Sequence, residues 1–576
     1  MTKEKTFSIG LTMAGAVSAG AYTAGVMDYL IETLENWEKA RKKDEKDVPS
    51  DYKVIIEIMS GASAGGITAA LAAMSMRQNH TPANDENKRG QNNLLYDCWV
   101  NMADDGEQNN TIKKLLDLDD LQEEEGIQSI LNSKVMDVIA GKAVEYGVPK
   151  TPFPSFISKD LDVVLTVTNL NGLSYNIEFK SYQEATPARL TMHSGLYRFR
   201  FREGNETHSD DYFNLNLKDK RHRNIIVDAA KASGAFPIGL RARKEQFLTK
   251  FIKQYSQSIF PESHKGNISL DESILQNDTY SFVAVDGGVI NNEPYGYTYR
   301  NIKEKIENKK EKAVGNYAII MVNPFPNDSR KSEEDDNKTD IFSILPKLIT
   351  TLRNQVMFKQ EDLLAALSDD DSTRFLIAPI RKAKIKNKRV PVENPIACGA
   401  LGGFSGFFDK EFRQHDFELG RKNCQDFIRY YFAKRDDEKH FIHENWTDAM
   451  KKRFGFYRKD QKGERVLFLP IIPDVNVVEA SKQVYKKGWE VPRDFPTFDA
   501  SRFENIRPLV KKRAKKMVQL LIKSRMKNGF GSGLIYKTFF LGFKWLGPGF
   551  LSRKITKRVE DIVKADFEAY ELLEKE

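Results

Sequence analysis

The run VIIEIMSGASAGGITAALAAMSM, residues 54–76, passes from apolar residues straight into small ones, with Ser63 at the corner between Gly61 and Gly65. Val54–Met59 reads as a buried strand and Gly66–Met76 as a helix. G-A-S-A-G at 61–65 fits the G-x-S-x-G pattern of a nucleophile elbow. Lifting a hydroxyl above the edge of a sheet requires a tight strand-to-helix turn, in which the serine takes an unfavourable φ. Side chains two residues before and after it would collide with the neighbouring strand and helix, and Gly61 and Gly65 have none. The helix that follows aims its free N–H groups at the corner, where they can hold developing negative charge.

Upstream, Phe7–Met13 reads as a strand and about Ala21–Lys39 as an amphipathic helix, joined through TMAGAVSAGAYTAG at 12–25. Strand, helix, strand, helix, with nearly continuous apolar strands, predicts an α/β fold whose mainly parallel sheet is covered on both faces. The charged start, apolar middle and small-residue patch of the N-terminus imitate a secretory signal. Glycines break that middle and the pattern runs directly into the helix, so a folded element is expected instead. The loop after the first strand makes Gly15 and Ala16 candidate N–H donors toward an ester oxygen. It has neither a GK[ST] ending nor G-x-G-x-x-G spacing, which argues against a phosphate cradle. Ser18, in A-V-S-A-G, is a rival elbow serine without the leading glycine.

Downstream, NHTPANDENKRGQNNL at 79–94 reads as a surface loop, followed by a mostly helical acidic stretch to about Gly147. Its carboxylates miss a calcium-loop pattern, because Leu121 falls where a ligand is needed. LDVVLTVTNLNGLSYNIEFKS at 161–181 predicts strands with a turn at Asn171-Gly172. NIIVDAAKASGAFPIGL at 224–240 predicts a strand end and then a helix stopping near Pro237. YSFVAVDGGVINNEPYG at 280–296 is a strand that delivers Asp286 into the turn Gly287-Gly288, and NYAIIMVNPFP at 316–326 is a further buried strand. A carboxylate at a strand end followed by two glycines has little steric cover, so Asp286 is the candidate partner for Ser63. His415, His440 and His443 stand in charged, helix-like surroundings that mark none of them as a base.

Of the 576 residues, 40% are apolar and 11% aromatic, enough for a sizeable core, while 30% are charged; this excludes a disordered or fibrous chain. Cys98, Cys398 and Cys424 are few, odd in number and far apart, which points to a reducing compartment and no disulfide framework. The formal charge is +8, yet Arg507–Arg558 alone holds fifteen Lys and Arg and no acid, so the remainder is acidic. Such a block calls for an anionic partner of its own.

Together these motifs resemble the patatin-like phospholipase family over about 5–325. Its marks are a small-residue loop after the first strand, G-x-S-x-G on the second, AAKASGAFPIGL at 229–240 and DGGVINNEP at 286–294. GALGGFSGFFDKEFRQHDFELGRKNCQDF at 399–427 looks like a segment of large bacterial members, with no chemical role apparent. The resemblance implies a three-layer α/β/α sandwich in which Ser63 is the nucleophile and Asp286 the base of a Ser–Asp dyad without histidine. It further implies hydrolysis of acyl esters in phospholipids or related lipids, of phospholipase A or lysophospholipase type, through an acyl-enzyme and with no metal or cofactor. The family's first loop is usually G-G-G-x-R-G, whereas Gly15-Ala16-Val17-Ser18-Ala19-Gly20 lacks the arginine.

The expected division is a catalytic domain at 1–325 with insertions near 80–150 and 240–280, a helical extension at 326–500, and a basic, aromatic-rich amphipathic region at 501–576. KKRAKKMVQLLIKSRMK at 511–527 sets cations beside an apolar face, and Phe539, Phe540, Phe543, Trp545 and Phe550 alternate with lysines further on. This composition suits an anionic membrane surface contacted through 507–558; no nucleic-acid module surrounds it. Packing of the same aromatics onto the catalytic domain satisfies the pattern equally. The expectation is thus a cytoplasmic, peripherally membrane-associated lipid acyl hydrolase. Two alternatives remain open: a catalytically impaired scaffold binding membrane or protein, and a Ser-His-Asp esterase acting on soluble substrates.

Overall fold

The computed structural model describes residues 5–83, 91–106, 109–122, 126–146, 154–177, 188–202, 212–252, 268–308, 316–326, 375–385, 388–459, 462–488, 490–527 and 534–574. The loop expected at 327–340 and the amphipathic helices expected just after it lie outside these residues.

The chain opens β1 (Lys5–Met13), α1 (Gly20–Lys42), β2 (Tyr52–Gly61), α2 (Ala64–Met76), the order read from the sequence. After α3 (Lys134–Glu145) come β3 (Ile157–Ile177), β4 (Ala188–Phe201), β5 (Phe213–Leu215) and α4 (Lys220–Ser233). Then follow β6 (Arg243–Leu248), β7 (Ile268–Leu270), β8 (Thr279–Asp286), α5 (Tyr295–Asn308), β9 (Tyr317–Val322) and β10 (Phe375–Ile377). The main sheet has the order β10-β9-β1-β2-β3-β4-β5, parallel from β10 through β3, with β7 and β8 antiparallel to β3 and β6 antiparallel to β8.

Strand periodicity builds the layers. Phe7, Ile9, Leu11 and Met13 point into the larger core, with α1 and α2. On the opposite face, Thr12 bonds to Thr298 of α5 at 2.9 Å, and a Cβ on Gly10 would lie 2.5 Å from the Thr298 methyl. Alternate residues of one strand therefore serve two helical layers, which is what an α/β/α sandwich requires.

Three local expectations are corrected. Asn171-Gly172 does not turn the chain: β3 runs through it, and the pairing with β4 steps from Thr168–Ser194 to Leu173–Met192 across a bulge. The Asn169 side chain accepts from the amides of Asn171 and Gly172 there, at 2.9 and 3.0 Å, replacing the interrupted ladder. The NIIV segment is helix, not strand, because Asp219 caps α4 by accepting from the Arg221 amide and buries Ile226, Val227, Ala229 and Ala230 at helical spacing. Among the described residues, the acidic stretch before 147 is helical mainly at Leu94–Tyr96, Asp97–Asn101, Thr111–Leu115 and in α3, with irregular chain between them.

Beyond 325 the described residues do more than extend the domain. β10 joins the main sheet, and α6 (Lys410–Tyr430) crosses α1 so closely that a Cβ on Gly25 would lie 1.9 Å from the Phe417 carbonyl oxygen. Short antiparallel strands also occur, Ala433–Arg435 and Phe456–Lys459 flanking Arg465–Pro470. Two long helices, α7 (Arg502–Lys527) and α8 (Leu534–Ala569), form the C-terminal helical region. Among the described residues, no helix is long and apolar enough to cross a membrane.

Candidate active site

β2 ends with Gly61 paired to Leu165 of β3, and β8, running the other way, ends with Asp286 paired to Val167 of the same strand. Two strand ends thus meet head-on along β3. Ser63 Oγ donates to Asp286 Oδ2 at 2.5 Å, and both side chains are nearly closed off, 8% and 3% exposed.

Each residue of the elbow is held by close packing. Ser63 sits at φ 51°, ψ −125°, a region that costs a non-glycine residue roughly 1–3 kcal/mol. A Cβ at Gly61 would lie 2.4 Å from the Gly65 carbonyl carbon, and one at Gly65 would lie 2.2 Å from the Met13 carbonyl oxygen. Asp286 is fixed from several directions: its Oδ1 accepts from the Gly288 amide at 2.7 Å, its own amide donates to Ala235 at 2.9 Å, and its carbonyl accepts from Thr168 Oγ1 at 2.8 Å. Gly287 presses on Thr166 of β3, where a Cβ would lie 2.1 Å from the threonine hydroxyl.

Gly15 lies beside the elbow, since a Cβ there would lie 3.0 Å from that of Ser63. Its amide donates to the Asn292 carbonyl at 3.3 Å, so of the two expected donors only Ala16 has no backbone acceptor among the described residues. The turn continues through Val17 at φ 48°, an unusual value for a β-branched residue.

A cavity of about 70 Å³ opens on Ser63, walled by Val17, Trp99, Met102, Phe236, Phe404 and Phe407. A second of about 70 Å³ adjoins it along α2, sharing Ile67, Met136, Ile139 and Leu240. The region expected as an insertion near 80–150 therefore supplies Trp99, Met102, Met136 and Ile139 to the wall, while that near 240–280 supplies β6 and β7 to the sheet. A larger cavity of about 340 Å³, between β4, β6, β8 and α4, includes neither Ser63 nor Asp286.

The histidines are engaged elsewhere. His415 Nδ1 contacts Asp416 at 2.8 Å; His443 Nε2 donates to the Pro470 carbonyl at 3.1 Å, and burial lowers its pKa to about 4. Ser18, the rival serine, is wholly buried and bonded to the chain at Gly403 and Gly406.

Sequence reading passed over Ser233, whose hydroxyl accepts from the Ser63 amide at 3.1 Å and so braces the elbow from behind. It also passed over Asn292, which anchors the Gly15 loop. Both stand in quoted motifs, AAKASGAFPIGL and DGGVINNEP, so the signal was present without its geometry.

A mainly parallel α/β/α sandwich carrying a strained strand–helix serine opposite a strand-end aspartate defines the class of protein. The sequence model for patatin-like phospholipase matches residues 11–299. The chain is also 32% identical over 524 residues to the uncharacterized protein y4iI of Sinorhizobium fredii (strain NBRC 101917 / NGR234), covering 81% of this chain and 70% of that one. The chain belongs to the patatin-like phospholipase family, whose members act on lipid esters.

Proposed function

We propose that this protein hydrolyses acyl esters of phospholipids or related lipids through a Ser63–Asp286 dyad. The observation that carries the reading is the direct 2.5 Å contact between the two side chains at a strained elbow, with no histidine between them. Asp286 takes the Ser63 proton as Oγ attacks the ester carbonyl, and returns it to the departing alcohol. A water then gives a proton to Asp286 as its oxygen attacks the acyl-enzyme carbonyl, and Asp286 passes that proton to Ser63 Oγ as the acyl–Oγ bond breaks, releasing a fatty acid and restoring the dyad. The Ala16 amide and the Ala64 amide at the start of α2 receive the oxyanion, with the Gly15 amide joining them if it leaves Asn292. The apolar cavities beside Ser63 take the acyl chain.

The C-terminal region supports encounter with an anionic lipid surface. Lys511, Lys512 and Lys515 of α7 and Arg553, Lys554, Lys557 and Arg558 of α8 are exposed, and Phe550 and Ile562 stand out at 59% and 50% exposure. The side chains of Phe539, Phe540, Phe543 and Trp545 lie outside the described residues.

The test is fatty-acid release from phospholipid vesicles by the full chain. Ser63→Ala and Asp286→Asn are expected to lose at least about a thousandfold in rate. Equal rates in all three proteins would remove the proposal, and loss of activity in a His415, His440 or His443 variant alone would favour the histidine-based esterase.

A further inference from the structure

The glycine-rich run at 399–407, to which sequence reading assigned no role, reaches the active site. Phe404 and Phe407 wall the cavity that opens on Ser63. Between the aromatic pair and the start of the run, Leu401, Gly402 and Gly403 take φ values of 56°, 63° and 100°, three consecutive residues in left-handed backbone. Glycine takes such angles freely, so the cost falls on Leu401, whose conformation persists only where its surroundings over-determine it.

The surroundings do so here. Asp416 accepts from the amides of Ala397 and Cys398 at 2.8 Å each, Ser405 Oγ donates to the Ala397 carbonyl at 2.7 Å, and buried Arg413 donates to the Gly406 carbonyl at 2.5 Å. From the C-terminal helix, Asp566 accepts from the Leu401 amide. The run is therefore a fixed body, anchored on α6 and α8.

That body grips the loop before Ser63 at one point. Ser18 Oγ donates to the Gly403 carbonyl and accepts from the Gly406 amide at 3.1 Å. A Cβ on Gly403 would stand 3.1 Å from the Ala16 carbonyl oxygen and 3.2 Å from Val17 Cβ. Val17, at its left-handed φ, is thus confined between Ala16 and the clamped Ser18.

We propose that residues 397–407 are a brace for the oxyanion loop and that Ser18 is the positioning residue joining the two, with Asp566 holding the brace from the C-terminal helix. This rests on the Ser63–Asp286 reading above. The brace fixes where the Ala16 amide points, and an oxyanion contact is made chiefly in the transition state, so its loss lowers kcat and leaves KM largely alone.

The experiment measures kcat and KM of the full chain on a soluble p-nitrophenyl butyrate substrate, with Ser63→Ala as the zero and the thermal midpoint recorded for each variant. Ser18→Ala is expected to lower kcat at least about tenfold with KM within about threefold. Asp566→Ala, an exchange at a helical position, is expected to lower kcat about threefold or more. A folded Ser18→Ala enzyme with kcat within about twofold of wild type overturns the inference. Should that variant fail to fold, Asp566→Ala decides by the same criterion. A wild-type protein with no Ser63-dependent turnover overturns the functional reading instead, and this inference with it.

Discussion

At position 63 one backbone angle, φ 51°, concentrates most of what the fold does for chemistry. The flanking glycines were legible because their demand is local: the missing Cβ atoms would meet residues four positions away or on the adjoining strand. Replacing Gly65 by Ala, with its Cβ 2.2 Å from the Met13 oxygen, is expected to destabilise the protein by about 2 kcal/mol or more and to lower activity with it, read by urea unfolding. Ser233 was not legible, because its bond to the Ser63 amide spans 170 residues. Ser233→Ala leaves that buried N–H without its acceptor, an expected loss of about 1–3 kcal/mol and a fall in kcat, measured on the same ester as Ser63→Ala.

Among the elements, those with an unambiguous period were read correctly and those decided by their neighbours were not. β1, β2, α1 and α2 follow from apolar patterning alone. The β-branched run Ile225–Val227 has strand propensity, yet the Asp219 cap and the seat beside α2 make it helix. Asn171-Gly172 has turn chemistry, yet both halves of β3 stay paired to β4. The joint between α1 and α6 was invisible in sequence, since it depends on an ion cluster across nearly four hundred residues. Arg421 is buried against Asp28, with Glu32 at 2.7 Å and Glu490 at 3.0 Å. Burial alone would raise the Asp28 pKa, but the Arg421 guanidinium and His80 hold it well below the usual carboxylate range. Arg421→Met strands these acids, and a loss of about 3–5 kcal/mol is expected in chemical denaturation.

At the scale of the molecule, two charge effects are open to measurement. His443 is kept neutral in the folded state by burial, with its pKa near 4 against about 6.5 when unfolded. The unfolded chain therefore binds the extra proton first as pH falls. Stability from this residue is complete above pH 6.5 and drains away toward pH 4, by about 3 kcal/mol; His443→Gln should flatten that part of the stability profile. Binding to vesicles containing phosphatidylserine should weaken about tenfold or more between roughly 0.05 and 0.5 M salt, because exposed lysines and arginines on α7 and α8 are screened. Neutral exchanges at Lys511, Lys512 and Lys515 should reduce that dependence. Finally, strand β3 acts as a ruler: Gly61 is registered on Leu165 and Asp286 on Val167, two notches apart. Lengthening the ruler by a single residue at Thr166 would turn the acid toward the other side of the sheet, whereas adding dozens of residues to the connections between 76 and 279 leaves the interval untouched. Growth in those connecting loops thus leaves the two reacting groups in step, whereas growth along this one short edge does not.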